Sequence, residues 1–168
     1  MHNEADRESA VRKVRLADLY PVISETLDAG GEVRLPVTGT SMYPTILGGR
    51  DQVTLRRPTE PLKKYDLPLY RRANGQFVLH RIISVQKDGT FTCCGDHQWK
   101  KEKGLRAEQM LALTTQLTRK GKTFSAAHPR YVRWIRFWVL IRPLRAVYYT
   151  VAGFLSGIKH RILRKQRS

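Results

Sequence analysis

The stretch Asn74-Gly75-Gln76-Phe77-Val78-Leu79-His80-Arg81-Ile82-Ile83-Ser84-Val85-Gln86-Lys87-Asp88-Gly89 sets an apolar, β-branched segment between two dipeptides that favour hairpin turns. Gly, Asn and Asp tolerate the positive φ that tight reversals need, so each dipeptide predicts a turn. The residues between them, about 76 to 86, are expected to form one strand. Moving outward, the period stays at two. Val33, Leu35 and Val37 alternate with polar or small neighbours, followed by Val53 and Leu55, then Leu67 and Leu69. Further strands are expected over Phe91 to Cys94 and from about Met110 to Thr118, ending in the Lys120-Gly121-Lys122 turn. A small curled, barrel-like sheet is the economical way to hide the edges of so many short strands, so the expected fold class is mainly β.

Helical periods frame this region. Leu16, Leu19, Tyr20, Ile23 and Leu27 share one stripe of an N-terminal helix that stops at Gly30-Gly31. Pro21 suits a first turn capped by Asp18, which would leave Leu16 as a flanking contact. After Lys122 come two amphipathic helical pieces interrupted at Arg142-Pro143. The longest uncharged run there, Ala146 to Ile158, is thirteen residues, short of the roughly 20 that span a bilayer. The reading divides the chain into an N-terminal helical segment (1–31), a β domain (32–122) and a basic aromatic helical tail (123–168).

Of 168 residues, 31 are Lys or Arg and 14 are Asp or Glu, a net charge of +17. Ten of those cations fall in residues 128–168, where there is no acid, so much of the surplus belongs to the tail. A hydrophobic content of 41% excludes a disordered or collagen-like chain. Cys93 and Cys94 are neighbours in a strand and point to opposite faces, which predicts two free structural thiols and suits a reducing compartment. Residues 1–15 are charged and contain no apolar run of signal-peptide length, so a cytoplasmic location is expected. The chain has no metal-ligand spacing, phosphate-binding glycine loop or nucleotide fingerprint, and neither metal nor cofactor is expected.

Three stretches carry chemistry. Gly39-Thr40-Ser41-Met42-Tyr43-Pro44 leaves a strand and enters a turn, where a serine is exposed and nearby backbone N–H groups can face an oxyanion. His80, by period two, shares the face of Val78 and Ile82, and an apolar wall keeps an imidazole neutral and basic. Cys94-Gly95-Asp96-His97-Gln98, followed by Glu102, offers a carboxylate to orient that imidazole. Each stretch alone is ordinary turn or core chemistry; their conjunction carries the weight.

Together these stretches resemble the serine peptidases that comprise type I signal peptidases and the related self-cleaving repressor domains. The family's Ser-Met-X-Pro core stands here as Ser41-Met42-Tyr43-Pro44, followed by Gly49-Arg50-Asp51-Gln52-Val53. Lys64-Tyr65-Asp66-Leu67-Pro68-Leu69-Tyr70 looks like its Gly-Asp-Ile-Val strand, His80-Arg81-Ile82-Ile83 like its base-bearing strand, and Gly95-Asp96-His97-Gln98 like its Gly-Asp-Asn-Asn turn. The resemblance covers about residues 32 to 122 and places the chain with the histidine-base branch. It implies a small curled sheet of the signal-peptidase and repressor-cleavage type. It also implies Ser41 as nucleophile, His80 as general base, and Asp96 or Glu102 as the orienting acid. Gly39, Thr40 and Met42 are the oxyanion and positioning candidates, with Thr38 as another donor. The chain departs from the family in having Gly39 where a serine often precedes the nucleophile by two residues and Glu102 where the second acid is aspartate, and no N-terminal transmembrane anchor is expected.

The tail intersperses arginines with Trp134, Phe137, Trp138, Tyr148 and Phe154, the composition of helices that lie on an anionic bilayer surface. Peripheral attachment to the inner face of the membrane is the expectation. Nucleic acid is the weaker alternative, and packing against the sheet or a second copy is the third. The expected function is a serine endopeptidase acting on a peptide or protein precursor near a membrane. A non-catalytic peptide-binding module with a membrane- or nucleic-acid-binding tail is the alternative.

Overall fold

A computed structural model describes residues 16–145. Helix α1, Leu16–Asp28, buries Ile23 and Leu27 and lays Leu16 and Tyr20 against the same core. Leu19, expected on that stripe, is instead exposed. The helix also begins before Pro21 rather than in a turn that Pro21 opens. Proline removes one backbone bond near the helix start, a loss that packing of Leu16 and Tyr20 offsets. Gly30, at φ +80°, ends the helix.

Nine strands follow among the described residues: β1 (Val33–Pro36), β2 (Gln52–Arg56), β3 (Pro68–Arg71), β4 (Phe77–Leu79), β5 (Arg81–Val85), β6 (Phe91–Cys94), β7 (Glu102–Leu105), β8 (Met110–Arg119) and β9 (Lys122–Ser125). The larger sheet runs β1-β2-β8-β3-β4 with β9 also on β8, and the smaller runs β5-β6-β7. Every pairing is antiparallel. The central strand β8 slips register against β2 between Thr54 and Leu55, and against β3 between Leu69 and Tyr70. Bulges of this kind add twist and bend, and the larger sheet is accordingly a curled half-barrel.

The segment expected as one strand over 76–86 is two strands in different sheets, and His80 sits at the break. Beyond His80 the backbone of Ile82 exchanges bonds with the 65–66 loop, while the Arg81 side chain turns inward to Asp96. Both reversals form as expected, although only Gly75 and Gly89 take positive φ. At the first of them Gly75 N–H donates to the Arg72 carbonyl and Arg72 N–H to that of Gln76, a turn whose glycine forms the bulge.

One core lies between the larger sheet and the two helices, centred on Leu27, Leu55, Leu117 and Ile135. A second joins the sheets, packing Tyr70, Val78 and Met110 against Ile82, Phe91, Cys93 and Leu105. Both cysteines are buried and free, and burial pushes the Cys93 thiol up to about 12. Helix α2, Pro129–Leu140, begins with His128 accepting the Arg130 N–H and buries Tyr131 and Ile135. The start of the tail is therefore integral to the β domain, because β9 pairs with β8 and α2 completes the core. The second helical piece, with Tyr148 and Phe154, lies outside the described residues. Among the described residues no helix is long and apolar enough to cross a membrane.

Candidate active site

Ser41 lies in the loop between β1 and β2, which is pinned from several sides. Asp51, fully buried, accepts the Leu47 N–H and both bonds of the Arg50 guanidinium. Met42 is buried as an anchor, and its carbonyl accepts from Ile46 N–H and Thr45 Oγ1. Gly39 takes φ +76°, and a Cβ on Gly48 would stand 2.1 Å from the Gly39 carbonyl oxygen, so this turn closes only on glycine. Thr40 is exposed, its carbonyl accepting the Tyr43 N–H. Within the described residues neither the Ser41 nor the Met42 N–H has an acceptor. Ser41 itself lines a cavity of about 320 Å³ with Leu35, Val37, Phe77, Leu79 and His80. The curl of the larger sheet brings its two terminal strands, β1 and β4, to this one cavity.

His80 is 3% exposed and meets Glu102 through Nδ1, 3.0 Å from Oε1. Tyr70 donates its hydroxyl to the same oxygen at 2.8 Å. Arg72 grips both carboxylate oxygens, Nη2 to Oε1 and Nε to Oε2, each at 2.6 Å. Partial burial alone would raise the Glu102 pKa, but the bonds from Arg72 and Tyr70 and the Arg72 charge hold it at about 2. Glu102 is thus an acceptor at neutral pH, and the proton on the imidazole belongs on Nδ1, leaving Nε2 with its lone pair. Burial pushes the His80 pKa below its ordinary value, against the pull of Glu102. No described residue bonds Nε2.

The choice between Asp96 and Glu102 follows from which way consecutive side chains turn. Arg81, next to His80, projects to the opposite side and takes Asp96 in a buried ion pair, Nη2 to Oδ2 at 2.7 Å. Asp96 also accepts from Thr45 Oγ1 and is fully buried. It ties the smaller sheet to the Ser41 loop, and of the two acids only Glu102 contacts the imidazole, beside the Tyr70 hydroxyl. The turn after Asp96 supports the Ser41 backbone, with His97 N–H donating to the Ser41 carbonyl at 2.8 Å. From the other side the Trp138 indole N–H and Arg145 donate to the Asp96 carbonyl, and Arg142 donates to that of Gly95.

Tyr70 and Arg72 were not among the residues expected at the site. Period two puts them on one side of the chain just before the Asn74-Gly75 reversal that returns it to His80, a signal that names them only once the hairpin is drawn. Trp138, expected to face a membrane, is half-buried on the Asp96 turn, with Arg145 3.7 Å from its ring centroid. Trp134 and Phe137 are exposed. No family model, no curated protein and no solved structure matches this chain.

Proposed function

We propose that this chain is a serine endopeptidase, similar to type I signal peptidases with a histidine base, in which Ser41 is the nucleophile and Glu102 the orienting acid. The observation that carries this reading is a buried His80, held at Nδ1 by an ionised carboxylate, on the wall of a cavity it shares with Ser41. Ser41 Oγ attacks the peptide carbonyl while His80 Nε2 takes its proton, and His80 then returns that proton to the departing amine. Water repeats the sequence on the acyl-serine. The unbonded N–H groups of Ser41 and Met42 are the donors available to the oxyanion. Ser41 and His80 are not hydrogen-bonded in the structure, so the first step requires Oγ and Nε2 to come within hydrogen-bond reach as the peptide fills the cavity. The apolar wall and the edges of β1 and β4, unpaired among the described residues, suit an extended peptide.

The exposed side of α2 presents Trp134, Phe137 and Leu140 beside Arg130, Arg133 and Arg136. This face suits an anionic bilayer surface, which would set the peptidase beside membrane-proximal substrates.

New protein N-termini, identified by mass spectrometry in cells expressing wild type, Ser41→Ala or His80→Ala at equal levels, test the reading. Termini unique to wild type are expected. Identical sets, with all three proteins folded, would replace the enzyme by a non-catalytic peptide-binding module.

A further inference from the structure

We infer that Arg72 is a positioning residue for His80, setting both the direction and the effective charge of the carboxylate that His80 meets. The reaction it serves rests on the peptidase reading above; the contacts themselves do not. Glu102 has one oxygen, Oε2, bonded to Arg72 Nε, while Oε1 takes Arg72 Nη2, the Tyr70 hydroxyl and His80 Nδ1. A two-pronged guanidinium grip leaves a carboxylate little rotational freedom, so Oε1 is held toward the imidazole. The hairpin fixes Arg72 in turn, since its backbone N–H donates to the Gln76 carbonyl and Nη1 donates to Gln76 Oε1.

Charge is the second half of the argument. A lone carboxylate against a buried imidazole favours imidazolium, which cannot accept the serine proton. Arg72 supplies the opposing charge. Around His80, burial and Arg72 disfavour the protonated form, while Glu102 on β7 and Asp96 on the turn between β6 and β7 favour it. Tyr70 on β3 and Cys93 on β6 stay neutral, both pushed up by burial first and then by the Glu102 charge. Arg72 is thus the cation that lets Glu102 orient His80 without keeping it protonated.

The test uses the full chain as wild type, Arg72→Met and Arg72→Lys. The His80 imidazole is titrated by NMR, its signal assigned by its loss in His80→Gln, and the pH-dependent rate of Ser41 labelling by a fluorophosphonate is measured. Arg72→Met should move the His80 titration to higher pH and slow labelling at neutral pH on the order of 10²-fold, the scale of a misplaced catalytic group. Arg72→Lys, which restores a point charge but not the fork, should recover the titration more than the rate. An unchanged titration with labelling within about twofold of wild type would overturn the inference. Failure of wild type itself to label at Ser41 would refute the peptidase reading, and the titration would still decide whether Arg72 sets the charge that His80 meets.

Discussion

Asp96→Asn separates the carboxylate that neutralises Arg81 from the one that meets His80. The substitution keeps the side-chain volume and an acceptor oxygen while removing the countercharge of Arg81, which is 1% exposed. Arg81 then retains the Tyr65 carbonyl and the Tyr131 hydroxyl as partners but has no anion in contact. Leaving a buried charge uncompensated costs about 3–5 kcal/mol, and the retained oxygen argues for the lower end. At roughly 2–4 °C per kcal/mol for a chain of this size, about 3 kcal/mol lowers the melting temperature by about 6–12 °C. Glu102→Gln acts on a carboxylate that is 18% exposed and faces a partly exposed Arg72, and the retained oxygen still accepts, so the loss should be smaller, about 1–2 kcal/mol. Thermal and urea unfolding of both variants, followed by circular dichroism, should therefore rank Asp96→Asn well below Glu102→Gln in stability. Fluorophosphonate labelling of Ser41 should be slowed most by Glu102→Gln. If Asp96→Asn melts within about 2 °C of wild type, a shift below 1 kcal/mol, the buried pair is not what holds this turn and the assignment of the two acids fails.

Gly48→Ala drives a Cβ into the Gly39 backbone and should destabilise by about 1–3 kcal/mol while abolishing Ser41 labelling, read by urea unfolding and by mass spectrometry of the labelled chain. Stability should decline as pH falls below about 6.5, because the unfolded chain protonates a histidine that folded His80, with its lowered pKa, leaves neutral. A further decline should follow as pH falls from the ordinary carboxylate range toward about 2, where Glu102 finally protonates. Urea midpoints between pH 8 and pH 3 check both, and His80→Gln should remove the first decline only. Trp134→Ser combined with Phe137→Ser should reduce co-flotation with anionic vesicles and lower the melting temperature only slightly, since both side chains are largely exposed and the main packing lost is the stacking of Trp134 on Trp138.

Much of the architecture was legible because apolar period and turn chemistry are local. β6 and β8 fall where alternation put them, and Gly75 and Gly89 reverse the chain where their dipeptides predicted. β7 and β9 were missed. Glu102-Lys103-Gly104-Leu105 and Lys122-Thr123-Phe124-Ser125 have too little alternation to announce themselves and become strands only through the neighbours that pair with them. Ser41 and His80 could be named as candidates from their surroundings in the chain, but the partner of His80 could not. Asp96 and Glu102 both follow the same strand at workable spacing, and nothing in their order distinguishes them.

Local preferences suffice to specify a mainly β chain, with a serine turn after one strand, a histidine between two hairpins and acids after the next strand. Those properties depend on φ preference and on period, which are set by residues within a few positions of one another. Packing between distant segments sets the rest: the chain changes sheets at His80, Arg81 turns away to neutralise Asp96, and Tyr70 and Arg72 close on Glu102. These outcomes depend on which charges are buried together, and a buried charge accepts only the partner that packing brings within about 3 Å.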